Sequence, residues 1–263
     1  FSFKKYQVEN GLSHNTTWCA IQDSYGFLWI GTSNGLNCYY GSGNKIYRNV
    51  LNDKYSLGNN FVGSLMEEGE DLWIGTSSGL YIYDRSDDHF LYFDKTTKYG
   101  VFISCEVKKI VKTKNGLIWI ATLGQGIFIY DPAKDVLTQN SIRTFFAWDI
   151  CQGTDSLVYV SSMQEGLLCF DEEGTFLQNY PVSSELSIGN QRINCLHSIE
   201  NEIWCGVGTN SLGCYQEGSQ ELKIYDTSAE SFSSILCLMD YSEKEMLVGT
   251  DNGVYLFDRE RKT

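Results

Sequence analysis

A phrase of about twelve residues that returns six times constrains this chain more than any other feature. It reads LWIGTSNGLNCY at Leu28–Tyr39 and LWIGTSSGLYIY at Leu72–Tyr83. It comes back as IWIATLGQGIFIY from Ile118 to Tyr130 and, blurred, as VYVSSMQEGLLCF from Val158 to Phe170. The last two copies are IWCGVGTNSLGCY from Ile203 to Tyr215 and MLVGTDNGVYLF from Met246 to Phe257. The anchors Trp29, Trp73, Trp119, Tyr159, Trp204 and Leu247 stand 40 to 46 residues apart. A fixed period of that length marks a repeat architecture.

Each copy reads as a β-hairpin. LWIGT is a run of β-favouring residues. Two or three polar residues and a Gly follow, then a second alternating apolar run such as Leu80-Tyr81-Ile82-Tyr83. The Gly supplies the positive φ that a tight hairpin turn requires. Ile21, Leu65, Ile110, Ile150, Leu196 and Leu238, eight to nine residues before the anchors, mark a preceding strand. Lys45–Arg48, His89–Phe93, Thr175–Tyr180 and Glu221–Tyr225 read as a fourth, more variable strand. Four antiparallel strands per repeat is the pattern of a propeller blade. Helical periodicity is not sustained anywhere. The sequence therefore predicts one all-β domain over residues 1–263, a β-propeller of four-stranded blades with six repeats. It is either a six-bladed ring or a seven-bladed ring lacking one blade. Phe1–Tyr6 has the alternation of an outer strand and is the candidate to close the ring. The anchor Trp residues are expected to fill the layers between blades.

Composition excludes several functions. A net charge of −13 disfavours nucleic acid and anionic membrane surfaces, which need clustered cations. No apolar run reaches the roughly 20 residues of a membrane-spanning helix. The nine cysteines fit a structural role better than a redox or metal one. Cys38, Cys169 and Cys214 align with Ile82, Ile129 and Leu256, and Cys195 and Cys237 align with Ala20 and Ser64. Cysteine thus alternates with small or aliphatic residues, as a buried apolar side chain does. There is no CxxC pair and His numbers three, so neither a metal nor another cofactor is expected. No Ser-His-Asp or Cys-His arrangement has a recognisable spacing, so no catalytic residues are assigned.

The polar residues that remain fall in two loop classes. In a blade of alternating strands, the turn inside the phrase shares a face with the loop leading into the next blade. The candidate ligand-binding residues on that face are His14, Asn15, Asn34, Asn59, Asn60, Gln125, Arg143, Trp148, Asn190, Gln191, Arg192, Asn210 and Asn252. Amides and an Arg beside aromatic rings suit a neutral or acidic sugar. The same Asn and Gly residues also serve tight turns for backbone reasons alone.

The string Gly11-Leu12-Ser13-His14-Asn15, with Ile21-Gln22-Asp23-Ser24-Tyr25-Gly26-Phe27-Leu28-Trp29-Ile30-Gly31-Thr32 and Asn34-Gly35-Leu36-Asn37, resembles the two-component regulator propeller repeat. The resemblance runs over essentially the whole chain and is weakest in the fourth repeat. It implies the periplasmic sensor region of a hybrid two-component system protein. In such proteins the propellers precede a small β-sandwich, a membrane helix, a histidine kinase, a receiver domain and a DNA-binding helix-turn-helix. The implied partners are an oligosaccharide or other small ligand, neighbouring periplasmic domains of the same protein, and a second copy in a full-length homodimer. This segment itself would contact no nucleic acid and would meet the membrane only through segments outside it. The implied role is detection of glycan breakdown products to switch on glycan-utilisation genes, with no enzymatic activity in this segment. The readings set against it are a scaffold or dimerisation propeller and a propeller enzyme such as a lyase or a lactonase.

Overall fold

The computed structural model describes residues 6–41, 43–142, 146–182, 192–227 and 234–262. Among them the chain forms 23 strands and one short 3-10 turn, Val8–Asn10. Blade one is β1 (Thr17–Gln22), β2 (Leu28–Thr32), β3 (Gly35–Tyr40) and β4 (Gly43–Tyr47). Blade two is β5 (Val62–Glu68), β6 (Asp71–Thr76), β7 (Gly79–Asp84) and β8 (His89–Tyr92). Blade three is β9 (Glu106–Lys112), β10 (Ile118–Leu123), β11 (Gly126–Asp131) and β12 (Val136–Gln139). Blade four is β13 (Ala147–Gln152), β14 (Val158–Ser162), β15 (Gly166–Phe170) and β16 (Phe176–Tyr180). Blade five is β17 (Ile193–Ile199), β18 (Glu202–Val207), β19 (Ser211–Gln216) and β20 (Leu222–Asp226). Blade six has β21 (Ile235–Asp240), β22 (Glu245–Thr250) and β23 (Gly253–Asp258). Strands in every sheet are neighbours in sequence order. The chain is a six-bladed all-β propeller. Phe1–Lys5, most of the candidate closing strand, lies outside the described residues.

The repeated phrase is the second and third strand of each blade. Its register puts Trp29 opposite Cys38, Trp73 opposite Ile82, Trp119 opposite Ile129, Tyr159 opposite Cys169, Trp204 opposite Cys214 and Leu247 opposite Leu256. Cysteine and aliphatic residues therefore share one position, as the alignment anticipated. The nine thiols are free. Burial pushes the Cys19 thiol up to about 12 and the Cys38 thiol up to about 11, which keeps both protonated and unreactive at neutral pH.

The first strand of blade one sits one residue away from the expected alignment. Ala20, not Ile21, pairs with Ile30, as Leu65 pairs with Ile74 and Leu196 with Cys205. Cys19, not Ala20, is therefore the equivalent of Ser64, Cys195 and Cys237. The cause is turn length. Blade two joins its first two strands through Gly69-Glu70, whereas blade one uses the five residues Asp23–Phe27. A constant offset from the anchor cannot accommodate both.

The Thr of the phrase closes its hairpin. The Thr32, Thr76 and Thr250 hydroxyls donate to the carbonyls of Gly35, Gly79 and Gly253 at 2.8–2.9 Å. They accept the N–H of Asn34, Ser78 and Asn252 in turn. Those glycines have φ of 120–124°, a region closed to most side chains.

Blades meet through one repeated aromatic contact. Each anchor ring packs on the last aromatic of the phrase in the following blade: Trp29 on Tyr83, Trp73 on Tyr130, Trp119 on Phe170, Tyr159 on Tyr215 and Trp204 on Phe257, all with centroids 5.2–5.8 Å apart. The anchors thus fill the inter-blade layers. The phrase's own Gly lets the next blade approach. A Cβ on Gly75 would lie 2.7 Å from Val107 Cγ1 and 3.0 Å from the Val107 carbonyl. Gly75→Ala is expected to cost about 1–3 kcal/mol through overpacking, read as a lowered urea midpoint with an unchanged m-value.

The seam between blades six and one is different. First strands pack in succession, β1 on β5, β5 on β9, β9 on β13, β13 on β17 and β17 on β21, and no comparable contact joins blade six to blade one among the described residues. Leu28 is 39% exposed while its equivalents Leu72, Ile118, Val158, Ile203 and Met246 are fully buried. On blade six, Val254 and Leu256 are 60% and 48% exposed, whereas Leu36, Leu80, Ile127 and Leu167, equivalent to Val254, are fully buried.

Candidate functional site

The innermost strand of every blade carries a register shift. Pairing slips between Thr17 and Cys19, Val62 and Ser64, Ala147 and Ile150, Ile193 and Cys195, and Ile235 and Cys237, and in blade three opposite Ala121 and Thr122. A bulge leaves a residue outside the ladder and re-aims its side chain. The residues released are Trp18, Gly63, Lys108, Asn194 and Leu236, and in blade four Trp148 with Asp149. They lie on the face that also carries the hairpin turns and lead-in loops. Gly35 N–H donates to the Asn60 carbonyl, Gly208 N–H to the Arg192 carbonyl and Met163 N–H to the Phe146 carbonyl, which ties those two loop classes together as expected.

Three of the bulge residues converge. The Lys108 ammonium lies 4.1 Å from the centroid of the Trp148 ring and 5.5 Å from that of Trp18. Trp18 packs on Phe61 at 5.3 Å. Blades one, three and four can meet at one cation only across the central axis, so this cluster lies at the mouth of the channel. Lys108 is held by Glu106 at 3.1 Å and its side chain is 9% exposed. Trp18 is half exposed and is oriented by a 2.8 Å bond from its indole N–H to the Ser33 hydroxyl. A cation between two indoles is favourable by about 1 kcal/mol or more when partly desolvated. The mouth therefore offers a fixed aromatic surface on which the Trp18 ring is half exposed.

One residue deeper, the side chains bind the next blade instead. The Ser64 hydroxyl accepts the Ile110 N–H at 3.1 Å, and Asp149 Oδ2 accepts the Leu196 N–H at 2.8 Å. Edge-strand donors that would face the channel unpaired are satisfied this way. Lys109 reaches Asp149 at 3.2 Å, and that carboxylate raises the Lys109 pKa. Among the described residues, no group of three or more His, Cys, Asp or Glu side chains is placed to hold a metal ion.

Of the residues singled out from sequence, Trp148 belongs to this cluster. His14 Nδ1 accepts the Thr16 N–H, and Asn15 Oδ1 accepts the Val8 N–H. Asn34 accepts the Arg48 Nε–H through its carbonyl and leaves its side chain exposed. Asn59 Oδ1 accepts from Phe61 N–H and Ser77, and Asn60 Oδ1 from Asn49 N–H. Gln125 bridges the Ser104 N–H and the Phe102 carbonyl. Asn210 accepts from Thr209, and Asn252 is exposed at its hairpin tip. Arg192 is half-buried, with its Nε unpartnered. Arg143, Asn190 and Gln191 lie outside the described residues. Sequence reasoning missed Trp18, Phe61 and Lys108. The signal was present: a bulky or charged residue one place before the small Cys, Ser or Lys-Asp position of the first strand, hidden by the misalignment of blade one.

Comparison with known proteins fits this geometry. Residues 11–34 match the family model described as two component regulator propeller. That match covers the first copy of the repeated phrase, up to Asn34, and the loop before it. A stretch of 57 residues, 22% of this chain and 4% of the relative, is 42% identical to histidine kinase P4 of Formosa agariphila. The extracellular domain of a B. thetaiotaomicron protein described as a one component system superposes with a TM-score of 0.78 at 21% identity, over 94% of this chain and 36% of that one. That of another, described as a hybrid two component system, gives 0.77 at 19% identity, over 98% and 36%. Virginiamycin B lyase from Staphylococcus aureus gives 0.72 at 12% identity, over 95% and 81%. At these identities the solved structures establish a shared propeller fold. This propeller spans about a third of the length of those extracellular domains. Among its described residues no helix is long and apolar enough to cross a membrane.

Proposed function

We propose that this propeller is the ligand-sensing part of a hybrid two-component signalling protein, that it works in the periplasm, and that it recognises a glycan-derived oligosaccharide to control glycan-utilisation genes. The observation that carries the reading is the mouth cluster, in which Lys108 fixes Trp148 and Trp18 around one end of the channel. Rigid indoles with an exposed face stack on the C–H surface of a sugar ring, and truncating such an aromatic anchor commonly removes more than 1 kcal/mol of binding. The two-component match at residues 11–34 and the likeness to extracellular sensor domains support the signalling role. The segment binds rather than reacts. Among the described residues at the mouth, Lys108 is paired with Glu106, which suits a fixed binding surface. Signalling then follows from a ligand that favours one arrangement of the receptor over another.

Calorimetry against neutral and uronate oligosaccharides tests the proposal. At least one sugar class is expected to bind, and Trp18→Ala is expected to weaken it about tenfold, ~1.4 kcal/mol. No heat from any sugar with the folded protein would leave a scaffold or dimerisation role. Binding that ignores Trp18→Ala and Trp148→Ala would move the site away from the channel mouth.

A further inference from the structure

We propose that the face opposite the channel mouth docks an arginine-rich segment of a partner protein, on three exposed aromatic side chains of blade one. The turns between first and second strands, and between third and fourth strands, open on that face. In blade one they bring Tyr25, Phe27 and Tyr40 together. Tyr25 packs on Phe27 with centroids 6.5 Å apart, and Phe27 meets Tyr40 edge-on at 6.1 Å. The three are 55%, 38% and 44% exposed.

Other blades use these positions to hold the turns themselves. Tyr25 stands where blades three and four have Asn115 and Asp155, whose Oδ1 atoms accept the N–H of Leu117 and Leu157. Tyr40 stands where Asp84, Asp131, Asp171 and Asp258 each accept an N–H of the outer turn. Blade one satisfies its backbone differently. Asp23 Oδ1 accepts the N–H of Tyr25 at 3.1 Å and that of Phe27 at 2.8 Å. Strand β3 returns directly to β4, with Tyr40 opposite Gly43. The turns therefore do not need these rings, yet two of them are held in place. A Cβ on Gly43 would lie 2.5 Å from Tyr40 Cε2, so the Tyr40 ring lies against the bare Gly43 backbone. The Arg85 guanidinium sits 4.8 Å from the Tyr25 centroid. Grouped, exposed apolar rings mark a contact surface.

The charge around the rings selects the partner. Glu70, Asp71 and Asp87 are exposed in the neighbouring turns of blade two. The nearby cations are already engaged: Arg85 by Asp23 and Glu67, Lys45 by Asp88, and Lys112 by Glu68. Among the described residues those three carboxylates are therefore uncompensated. The crowding registers at Asp71, whose carboxyl is held above its usual value by desolvation and by the charges of Asp84, Glu70 and Glu68. A second copy of a chain with net charge −13 would be repelled from this face, as would an anionic glycan. A guanidinium fits both parts of the surface, because it stacks on rings and pairs with carboxylates. Arg85 already does both here, on Tyr25 and with Asp23 and Glu67.

Fluorescence anisotropy with labelled octa-arginine and octa-lysine peptides tests this on the native chain. Octa-arginine is expected to bind at least about fivefold tighter, because a guanidinium stacks on a ring while it pairs and an ammonium does so less well. Tyr40→Asp installs the residue that four other blades hold and adds a negative charge. It is expected to weaken octa-arginine binding about threefold or more, where charge attraction alone would strengthen it. Tyr25→Ser should weaken binding as much, and Tyr40→Phe should retain it. The proposal is overturned if neither peptide binds or if the two bind alike. It is also overturned if Tyr40→Asp, with an unchanged urea midpoint, binds octa-arginine as tightly as the native chain or tighter.

Discussion

Replacing Trp119 with Ala is expected to destabilise the propeller by about 3–5 kcal/mol, as an uncollapsed cavity in a packed core does. Trp119 is fully buried between blades three and four, against Phe170 at 5.6 Å, and belongs to the cluster of Ile127, Ile129, Ile150 and Leu168. Its surroundings are sheet residues fixed by their ladders, so the site cannot close over the void. A milder pair of substitutions separates packing from polarity. The indole N–H of Trp119 is buried without a partner, whereas that of Trp29 donates to Asp23 Oδ2 at 2.7 Å. Trp119→Phe removes an unsatisfied donor along with some volume and is expected to cost about 1 kcal/mol. Trp29→Phe removes a bond to a buried carboxylate and is expected to cost about 2–3 kcal/mol. Equilibrium urea unfolding of the three variants gives the order. Equal losses for the two Phe variants would mean that the Trp29 bond contributes nothing beyond area.

This difference between two residues at one repeat position shows where the sequence stops being informative. The period, the hairpin and the aliphatic role of cysteine were legible because each depends on a residue type recurring at a fixed offset. Trp29 and Trp119 look identical at that level. What separates them is the turn Asp23–Phe27, whose Asp happens to reach the indole, and such contacts carry no period. The bulge residues were missed for a related reason. Trp18, Lys108 and Trp148 each stand 11 residues before their anchors, an offset that Gly63 and Asn194 do not share because their turns are shorter, and their convergence requires the closure of the propeller, not any local pattern. The amides were read as lining one face for a ligand. Several of them, such as Asn59, Asn60 and Gln125, hold loop backbone. A side chain that orders its own loop and one that awaits a ligand are the same letter in the sequence.

Arg85→Met is expected to cost about 3–5 kcal/mol at pH 7, because it leaves a buried carboxylate without its cation. Arg85 reaches from blade two to blade one, with Nη1 2.8 Å from Asp23 Oδ2 and Nη2 3.2 Å from Glu67 Oε1. The Asp23 side chain is 0% exposed. Burial acts to raise its pKa, but the Trp29 indole, the Arg85 guanidinium and the Phe27 N–H outweigh burial and hold it below the usual carboxylate value. The sign of the pH dependence follows. A depressed folded pKa stabilises above the unfolded value, about 3.9, and that contribution is lost as pH falls through the still lower folded value. The gap between the native chain and Arg85→Met should therefore be full at pH 7 and narrow as acid protonates Asp23 and removes the unpaired charge. Asp23→Asn combined with Arg85→Met should recover part of the loss at pH 7, since no buried charge remains. Urea unfolding of the native chain and both variants at pH 7 and at pH 3 reads all of this. A gap that stays constant with pH would show that Arg85 acts through its stacking on Tyr25, whose ring centroid is 4.8 Å away, and not through Asp23.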